Sequence, residues 1–324
     1  MIREALLPDL NTPLPGLLFI ILAAAALSVS RQASAGELAV NDLVLRSTAR
    51  GVSELHVLRA GAATPVRLLR DEMAALDPTV TPAGDVAFMR PRAGQQGLWI
   101  VRRDGTGLRP LGTGALDGRM PAFSPDGGRV AFVRHRAGEG SDIWLARPDG
   151  TAQVNLTAVV SGGVTHLSPA WSPDSGRLAF ASNRGGRFRI WIMSAEGGDS
   201  RPLARTPGAD LEPAWSPEGG RLAFVRQFPD GHSDLVVLEL ATGAERRIQF
   251  PGTEARPAWS PRGTLIAFAS DRHGQIDLFA AAPDGTGLVR LTDGTADESS
   301  PAWLPRAATP GARNTNLRKE RTAP

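Results

Sequence analysis

Residues 169–173 read PAWSP, and the same five residues return at 213–217 and at 257–261, each time 44 residues further along the chain. Residues 301–303 begin another copy, PAW, after a further 44 residues, and residues 121–125 read PAFSP. A motif that recurs at a fixed step in a chain of 324 residues indicates one structural unit that is repeated several times.

Each copy of the motif is followed by the same succession of turns and short apolar runs. A Gly-bearing turn leads to a run such as 178–180 (LAF), and a polar loop leads to a second run such as 143–145 (IWL). An Asp-Gly turn, for example Asp149-Gly150, then connects to a last short strand, as is typical of a β-hairpin. Four short strands in a period of about 44 residues predict one blade of a β-propeller.

The repeats predict an all-β, six-bladed β-propeller of four-stranded antiparallel blades. Residues 43–69 hold three strands with no copy of the motif before them, and residues 301–303 form a first strand with nothing after it. We expect the C-terminal strand to join this N-terminal blade and close the ring, because closure protects sheet edges that would otherwise pair with other chains. The five complete units begin at Pro78, Pro121, Pro169, Pro213 and Pro257.

These units resemble the WD40-like β-propeller repeat of the TolB family. The shared elements are PAWSPDG, an apolar-Ala-Phe strand, Asn-Arg-x-Gly as at 183–186, Asp-Ile-Trp as at 142–144, and Leu-Thr as at 291–292. The resemblance covers residues 42–305 and implies the propeller fold. TolB carries an α/β domain ahead of its propeller, and the six residues between Ala35 and Asp42 leave no room for one, so a role in the Tol–Pal system does not follow from the resemblance.

The two ends of the chain differ from the repeats. Residues 1–35 hold the apolar run 17–27 (LLFIILAAAAL) followed by Ala33-Ser34-Ala35, which predicts a signal peptide cleaved after Ala35. An uncleaved membrane anchor is the alternative. In either case we expect the propeller, residues 36–305, to lie outside the cytoplasm, in the periplasm or secreted. Residues 306–324 are polar and basic and predict a disordered tail.

Composition and charge exclude several classes of protein. The chain has no cysteine, which removes disulfides and thiolate metal sites. Net charge is +3, but residues 36–305 carry −1, unlike the basic body of a nucleic-acid-binding domain. The five histidines lack metal-binding spacing, and no G-x-S-x-G motif is present. We therefore expect no cofactor, no metal and no catalytic residue.

One large aromatic residue occupies the third position of five of the six motif copies; the degenerate copy at 78–82 (PTVTP) has Val80 there. A propeller needs bulky apolar side chains at a fixed repeat position, because they fill the wedge-shaped space between blades. We predict this packing role, and not ligand binding, for Phe123, Trp171, Trp215, Trp259 and Trp303.

Recognition is predicted at the loops that lead into the first strand of each unit. These loops differ in length and sequence between units, and variable loops on a rigid scaffold are where binding residues concentrate. Because the first strand of a blade lies innermost, we expect the residues just before it to ring the mouth of the central channel. The predicted ring consists of Arg119, His166, Ser168, Asp210, Glu212, Glu254, Arg256, Asp297 and Glu298.

These observations favour an exported, monomeric, non-enzymatic binding protein. Its loop face and channel mouth would bind an envelope protein or peptide, or a glycan, and only an uncleaved N-terminal segment would touch the membrane. The alternative is a lactonase-type hydrolase with a divalent cation in the channel. That function requires channel-mouth carboxylates to converge within about 2.3–2.6 Å of one point. The candidates are Asp210, Glu212, Glu254, Asp297 and Glu298.

Overall fold

The computed structural model describes residues 41–305 except 49–50, 63, 93–94, 114–115, 137–139, 159–162, 204–207 and 295, together with Leu38. Twenty-four β-strands form in this part of the chain. Within the same residues, no helix has the length and apolar character that crossing a membrane requires. The predicted signal segment 1–35 and the predicted tail 306–324 lie outside the described residues.

In chain order, the strands are β1 (Leu43–Ser47), β2 (Glu54–Leu58), β3 (Val66–Arg67), β4 (Leu76–Val80), β5 (Val86–Arg92), β6 (Gln95–Val101), β7 (Arg109–Pro110), β8 (Arg119–Phe123), β9 (Val130–His135), β10 (Ser141–Ala146), β11 (Val154–Asn155), β12 (His166–Trp171), β13 (Arg177–Ser182), β14 (Arg189–Ser194), β15 (Arg201–Pro202), β16 (Ala209–Trp215), β17 (Arg221–Gln227), β18 (Ser233–Glu239), β19 (Glu245–Ile248), β20 (Glu254–Trp259), β21 (Ile266–Ser270), β22 (Asp277–Ala281), β23 (Val289–Arg290) and β24 (Glu298–Trp303).

The strands form six four-stranded antiparallel sheets, which are the six blades of a propeller. Blade 1 has the order β24-β1-β2-β3, and blades 2 to 6 follow as β4–β7, β8–β11, β12–β15, β16–β19 and β20–β23. The C-terminal strand β24 pairs with β1, with Trp303 opposite Leu43 and Glu298 opposite Ser47. The first strands of successive blades contact one another around a closed ring. The predicted six-bladed fold and its closure are therefore confirmed.

The hydrophobic core lies between neighbouring blades. The second strand of a blade is covered by blades on both sides, which explains why its sequence is a continuous apolar run and does not alternate. Phe180 of blade 4 and Phe224 of blade 5 occupy equivalent places and are almost completely buried. One core cluster, for example, combines Ile190 of blade 4 with Leu222 of blade 5. Each blade thus shares one core cluster with each of its two neighbours.

The repeated tryptophans fasten each blade to the preceding one. Trp171, Trp215 and Trp259 are each at most 8% exposed. The side chain of an arginine from the preceding blade lies over the indole face, as with the Arg129 guanidinium carbon 4.8 Å from the Trp171 ring centre. In blade 3, Phe123 packs against the core cluster shared with blade 2. The indole nitrogens donate to backbone oxygens one blade back: Trp171 to Ala122 (3.0 Å), Trp215 to Ala170 (3.2 Å), Trp259 to Ala214 (3.1 Å) and Trp303 to Ala258 (3.1 Å).

Candidate binding site in the central channel

Each inner strand contains a β-bulge at the proline of the repeated motif. In blade 4, Leu167 lies opposite Ala181 and Ala170 lies opposite Ala179, so two residues of the inner strand face one residue of its neighbour. Ser168, just before the proline, has a φ of 52°, and the equivalent residues of all six blades have φ between 50° and 55°. This left-handed conformation costs a non-glycine residue about 1–2 kcal/mol. Its presence in every blade shows that the sheet imposes it.

The six residues at the bulges line the channel. They surround a cavity of about 320 Å³ together with the proline and the small residue that follow each of them. Because all six inner strands contribute, this cavity lies on the axis of the propeller. We call the six residues the channel ring; in the order of blades 1 to 6 they are Ser300, Asp77, Met120, Ser168, Glu212 and Arg256.

Arg256 bridges two carboxylates on opposite walls of the channel. Its Nε lies 3.0 Å from Oε1 of Glu212 on the adjacent blade 5. Its Nη1 lies 3.1 Å from Oδ1 of Asp77 on blade 2, which stands opposite blade 5 in the ring. The guanidinium therefore spans the channel and holds both acids.

The second oxygen of each acid binds the backbone of the following blade. Oδ2 of Asp77 accepts the Met120 backbone N–H at 3.3 Å, and Oε2 of Glu212 accepts the Arg256 backbone N–H at 2.6 Å. The bulge thus turns these backbone N–H groups towards the channel ring. Each acid links two neighbouring bulges while its other oxygen holds the guanidinium.

A second cation lies close to this arrangement. Arg46, on β1 of blade 1, donates from Nε to the Ser299 hydroxyl at 3.0 Å. Burial holds the pKa of Arg46 below its ordinary value, and the positive charge of Arg256 lowers it further, while Asp77 and Asp297 oppose this shift. Arg256 is therefore attracted by two carboxylates and repelled by a neighbouring guanidinium.

The structure brings three of the predicted site residues into the channel: Ser168, Glu212 and Arg256. Sequence reasoning missed the other half of the channel ring, which consists of Asp77, Met120 and Ser300. The available signal was the residue immediately before the proline in all six repeats, including the degenerate unit at Pro78 and the isolated strand at Pro301.

Two of the predicted residues do not line the cavity of the channel. Arg119 is half-buried in β8 of blade 3. Asp297 is exposed before β24, and its Oδ1 accepts the Ile276 backbone N–H at 3.2 Å.

The remaining predicted residues lie inside the blades, which corrects their expected position at the channel mouth. They stand three residues before the proline and are at most 4% exposed. Asp210 receives a hydrogen bond from Arg226 Nε at 2.8 Å, and Glu254 receives one from Arg272 Nη2 at 3.2 Å. Each of these carboxylates is bound by an arginine of its own blade. We call this set the buried ring: His166, Asp210, Glu254 and Glu298.

Burial shifts the titration of the buried ring. It raises the pKa of Glu254 to about 8, although Arg272 and the Ser270 hydroxyl oppose the shift. Burial also raises the pKa of Glu298. Burial, followed by the charges of Arg184 and Arg136, lowers the pKa of His166 to about 4. These shifts arise because the interior of a blade disfavours charge.

The acids required by the lactonase alternative are held apart. Asp210 is bound to Arg226, Glu254 to Arg272, and Glu212 to Arg256. Among the residues that the structure describes, no group of three or more histidine and acidic side chains is placed to hold a metal ion. The channel ring instead offers two carboxylates, a guanidinium, two hydroxyls and a thioether, which suit recognition of a polar ligand.

The closed ring of blades and its lined channel define the chain as a six-bladed β-propeller. The family model described as "TolB beta propeller domain" matches residues 117–210 and 200–309, which together cover more than half of the sequence. The chain therefore belongs to the TolB β-propeller family. A comparison with curated proteins gave no match.

Solved structures with the same fold include TolB proteins and a peptidase. TolB from Acinetobacter baumannii is 19% identical, with a TM-score of 0.72 over 83% of this chain and 67% of that chain. A putative TolB from Agrobacterium tumefaciens is 18% identical, with a TM-score of 0.60 over 82% of this chain and 98% of that one. A puromycin-hydrolyzing peptidase from Mycobacterium tuberculosis is 20% identical, with a TM-score of 0.55 over 74% and 41%. At these identities, the likeness establishes the fold alone.

Proposed function

We propose that this chain is an exported binding protein whose channel ring receives a segment of an envelope protein or peptide. The observation that carries the proposal is the contrast between neighbouring positions of one motif. The proline is present in all six inner strands and the alanine after it in five, whereas the residue before the proline is different in almost every blade. A position that only supports the fold would keep one kind of residue, as the third position of the motif keeps a large aromatic residue in five of the six blades.

The geometry supports recognition at this position. The six side chains converge on one cavity, and its volume of about 320 Å³ lies within the range of about 300–1,000 Å³ that is usual for ligand pockets. The predicted signal segment 1–35 supports export. We expect N-terminal sequencing of the protein from an envelope fraction to begin at Gly36, and retention of the whole chain in the cytoplasm would contradict export.

Affinity capture from the envelope of the source organism tests the binding role. The bait is the full chain with a C-terminal tag, compared with the triple variant Asp77→Asn, Glu212→Gln and Arg256→Gln. The matched control is Asp199→Asn, Glu239→Gln and Arg201→Gln, which changes the same residue types at exposed positions away from the channel. We expect a partner that the native bait and the control capture and the channel variant loses. A partner retained equally by all three baits, or none captured by any, would contradict the proposal.

A further inference from the structure

The channel ring already holds a cation of its own. Arg256 places its guanidinium between Asp77 and Glu212, with N–O distances of 3.1 and 3.0 Å. This arrangement shows that the two carboxylates are separated by a distance that a single guanidinium spans. With Arg256 in place, the two acids are balanced by Arg256 and the nearby Arg46; once Arg256 leaves, two negative charges face one positive charge, which favours the entry of another cation.

The ion pairs of Arg256 are more exposed to solvent than those of Arg226, which is also paired with two carboxylates. The side chain of Arg256 is 30% exposed, and those of Glu212 and Asp77 are 24% and 12% exposed. Arg226 is only 4% exposed inside blade 5. Release of Arg226 would bury unpaired charge, whereas Arg256 can leave the acids without opening a blade.

The Ser300 hydroxyl, on the channel wall, has no hydrogen-bond partner in the part of the protein that the structure describes. Ser300 is 6% exposed, and its buried hydroxyl oxygen makes no hydrogen bond. It belongs to blade 1, between the blade of Arg256 and the blade of Asp77. Because buried hydroxyls are normally hydrogen-bonded, this oxygen is a ready acceptor for an N–H donor in the channel.

We propose that Asp77 and Glu212, with the Ser300 hydroxyl, form a binding site for the guanidinium of a partner's arginine, and that Arg256 occupies this site until the partner displaces it. This inference rests on the proposed binding function and names the chemistry of the segment that enters the channel. Arg256 acts as an internal competitor. A competitor that fills the site for about nine-tenths of the time weakens the apparent affinity about tenfold.

Calorimetric titration of the full chain tests the site without any envelope partner. The probe is the tripeptide Gly-Arg-Gly with an acetylated N-terminus and an amidated C-terminus, and Gly-Gln-Gly with the same ends is the neutral control. We expect Arg256→Ala to bind the arginine peptide about tenfold more tightly than the native chain. Arg256→Ala combined with Asp77→Asn and Glu212→Gln should lose that gain. Arg256→Gln replaces Arg256→Ala if the alanine variant has a reduced melting temperature.

Three results would overturn the inference. The first is equal binding of the arginine peptide by the native chain and by folded Arg256 variants. The second is binding of calcium ions, and not of the peptide, by Arg256→Ala, which would make the site a divalent-cation site. The third is binding of Gly-Lys-Gly with the same ends as tightly as the arginine peptide, which would make the site one for any cation and not for a guanidinium.

Failure of this inference can be told apart from failure of the proposed function. If affinity capture yields a partner that depends on the channel ring, yet the arginine peptide does not bind Arg256→Ala, only the cationic chemistry is wrong. If the peptide binds as expected and no partner is captured, the guanidinium site is supported and the proposed envelope partner is contradicted.

Discussion

The channel ring and the buried ring lie on the same inner strands, only two residues apart, and in blades 5 and 6 they differ in burial. In blade 5, Glu212 faces the channel and is 24% exposed at its side chain, while Asp210 is buried against Arg226. In blade 6, Arg256 and Glu254 repeat this contrast. Residues two positions apart on a regular strand point to the same face of the sheet. The bulge and the left-handed backbone at Glu212 and Arg256 break that rule and direct only these residues to the axis.

The difference in burial predicts a difference in energy. Removing one member of a buried ion pair leaves an uncompensated charge, which costs several times more than loss of a solvated pair. Substitutions in the buried ring should therefore act on folding, and substitutions in the channel ring on binding. The predictions that follow test this division, beginning with a position on which both rings depend.

Trp171→Ala should destabilise the fold by about 3–5 kcal/mol, because it empties the wedge between blades 3 and 4. Trp171→Phe is the matched control, since Phe123 fills the equivalent place in blade 3. The phenylalanine variant keeps an aromatic ring in the wedge but loses the hydrogen bond to the Ala122 oxygen and part of the buried indole surface, so its loss should be smaller, at about 1–2 kcal/mol. Urea unfolding of both variants measures the difference. Equal stability of Trp171→Ala and the native chain would refute the wedge assignment.

Asp210→Ala should reduce the free energy of unfolding by about 3 kcal/mol, because Arg226 is then buried with one carboxylate in place of two. Glu245, at 2.7 Å from Arg226 Nη1, limits the loss. Chemical unfolding at pH 7 measures it. A loss no larger than that of Glu212→Ala would show that the two rings do not differ as described.

Glu254→Gln should change how stability depends on pH. The pKa of Glu254 is about 8 in the folded chain, against an ordinary value of 4.5. Between pH 4.5 and pH 8, Glu254 ionises in the unfolded chain but stays protonated in the native protein. The native protein therefore loses stability as pH rises from 4.5 to 8. Relative to the glutamine variant, we expect a loss of at least about 1.4 kcal/mol, the equivalent of one pKa unit. Unfolding at pH 5, 6, 7 and 8 measures this, and parallel curves for the two proteins would contradict it.

Glu212→Gln should alter stability by less than about 1 kcal/mol, because its pair with Arg256 is partly solvated. The variant keeps an oxygen that can accept the Arg256 backbone N–H. Thermal unfolding is the measurement, with Asp210→Asn as the matched substitution in the buried ring. A larger loss from Glu212→Gln than from Asp210→Asn would give the channel ring a structural role.

The repeat in the sequence was sufficient to predict the fold, because each unit contains its own turn residues and apolar runs. The two terminal fragments together supply the four strands of one blade. The repeat also placed Ser168, Glu212 and Arg256 near the axis. Sequence reasoning wrongly placed His166, Asp210, Glu254 and Glu298 at the channel mouth, because polar residues just before a strand resemble a solvated loop. The bulge at the proline, which sends one residue to the channel and leaves its neighbours in the blade, depends on register and has no sequence signal beyond the proline itself.

The central claim is that a partner contacts the channel ring, and site-specific photocrosslinking in cells tests it most directly. The photoreactive residue p-benzoylphenylalanine would replace Met120, which lines the channel, or Glu239, which is exposed at the end of β18. The comparison requires that the two variants have the same melting temperature, so that both are equally folded. We expect a crosslinked partner from position 120 and none from position 239. A partner crosslinked from position 239 and not from position 120 would contradict it.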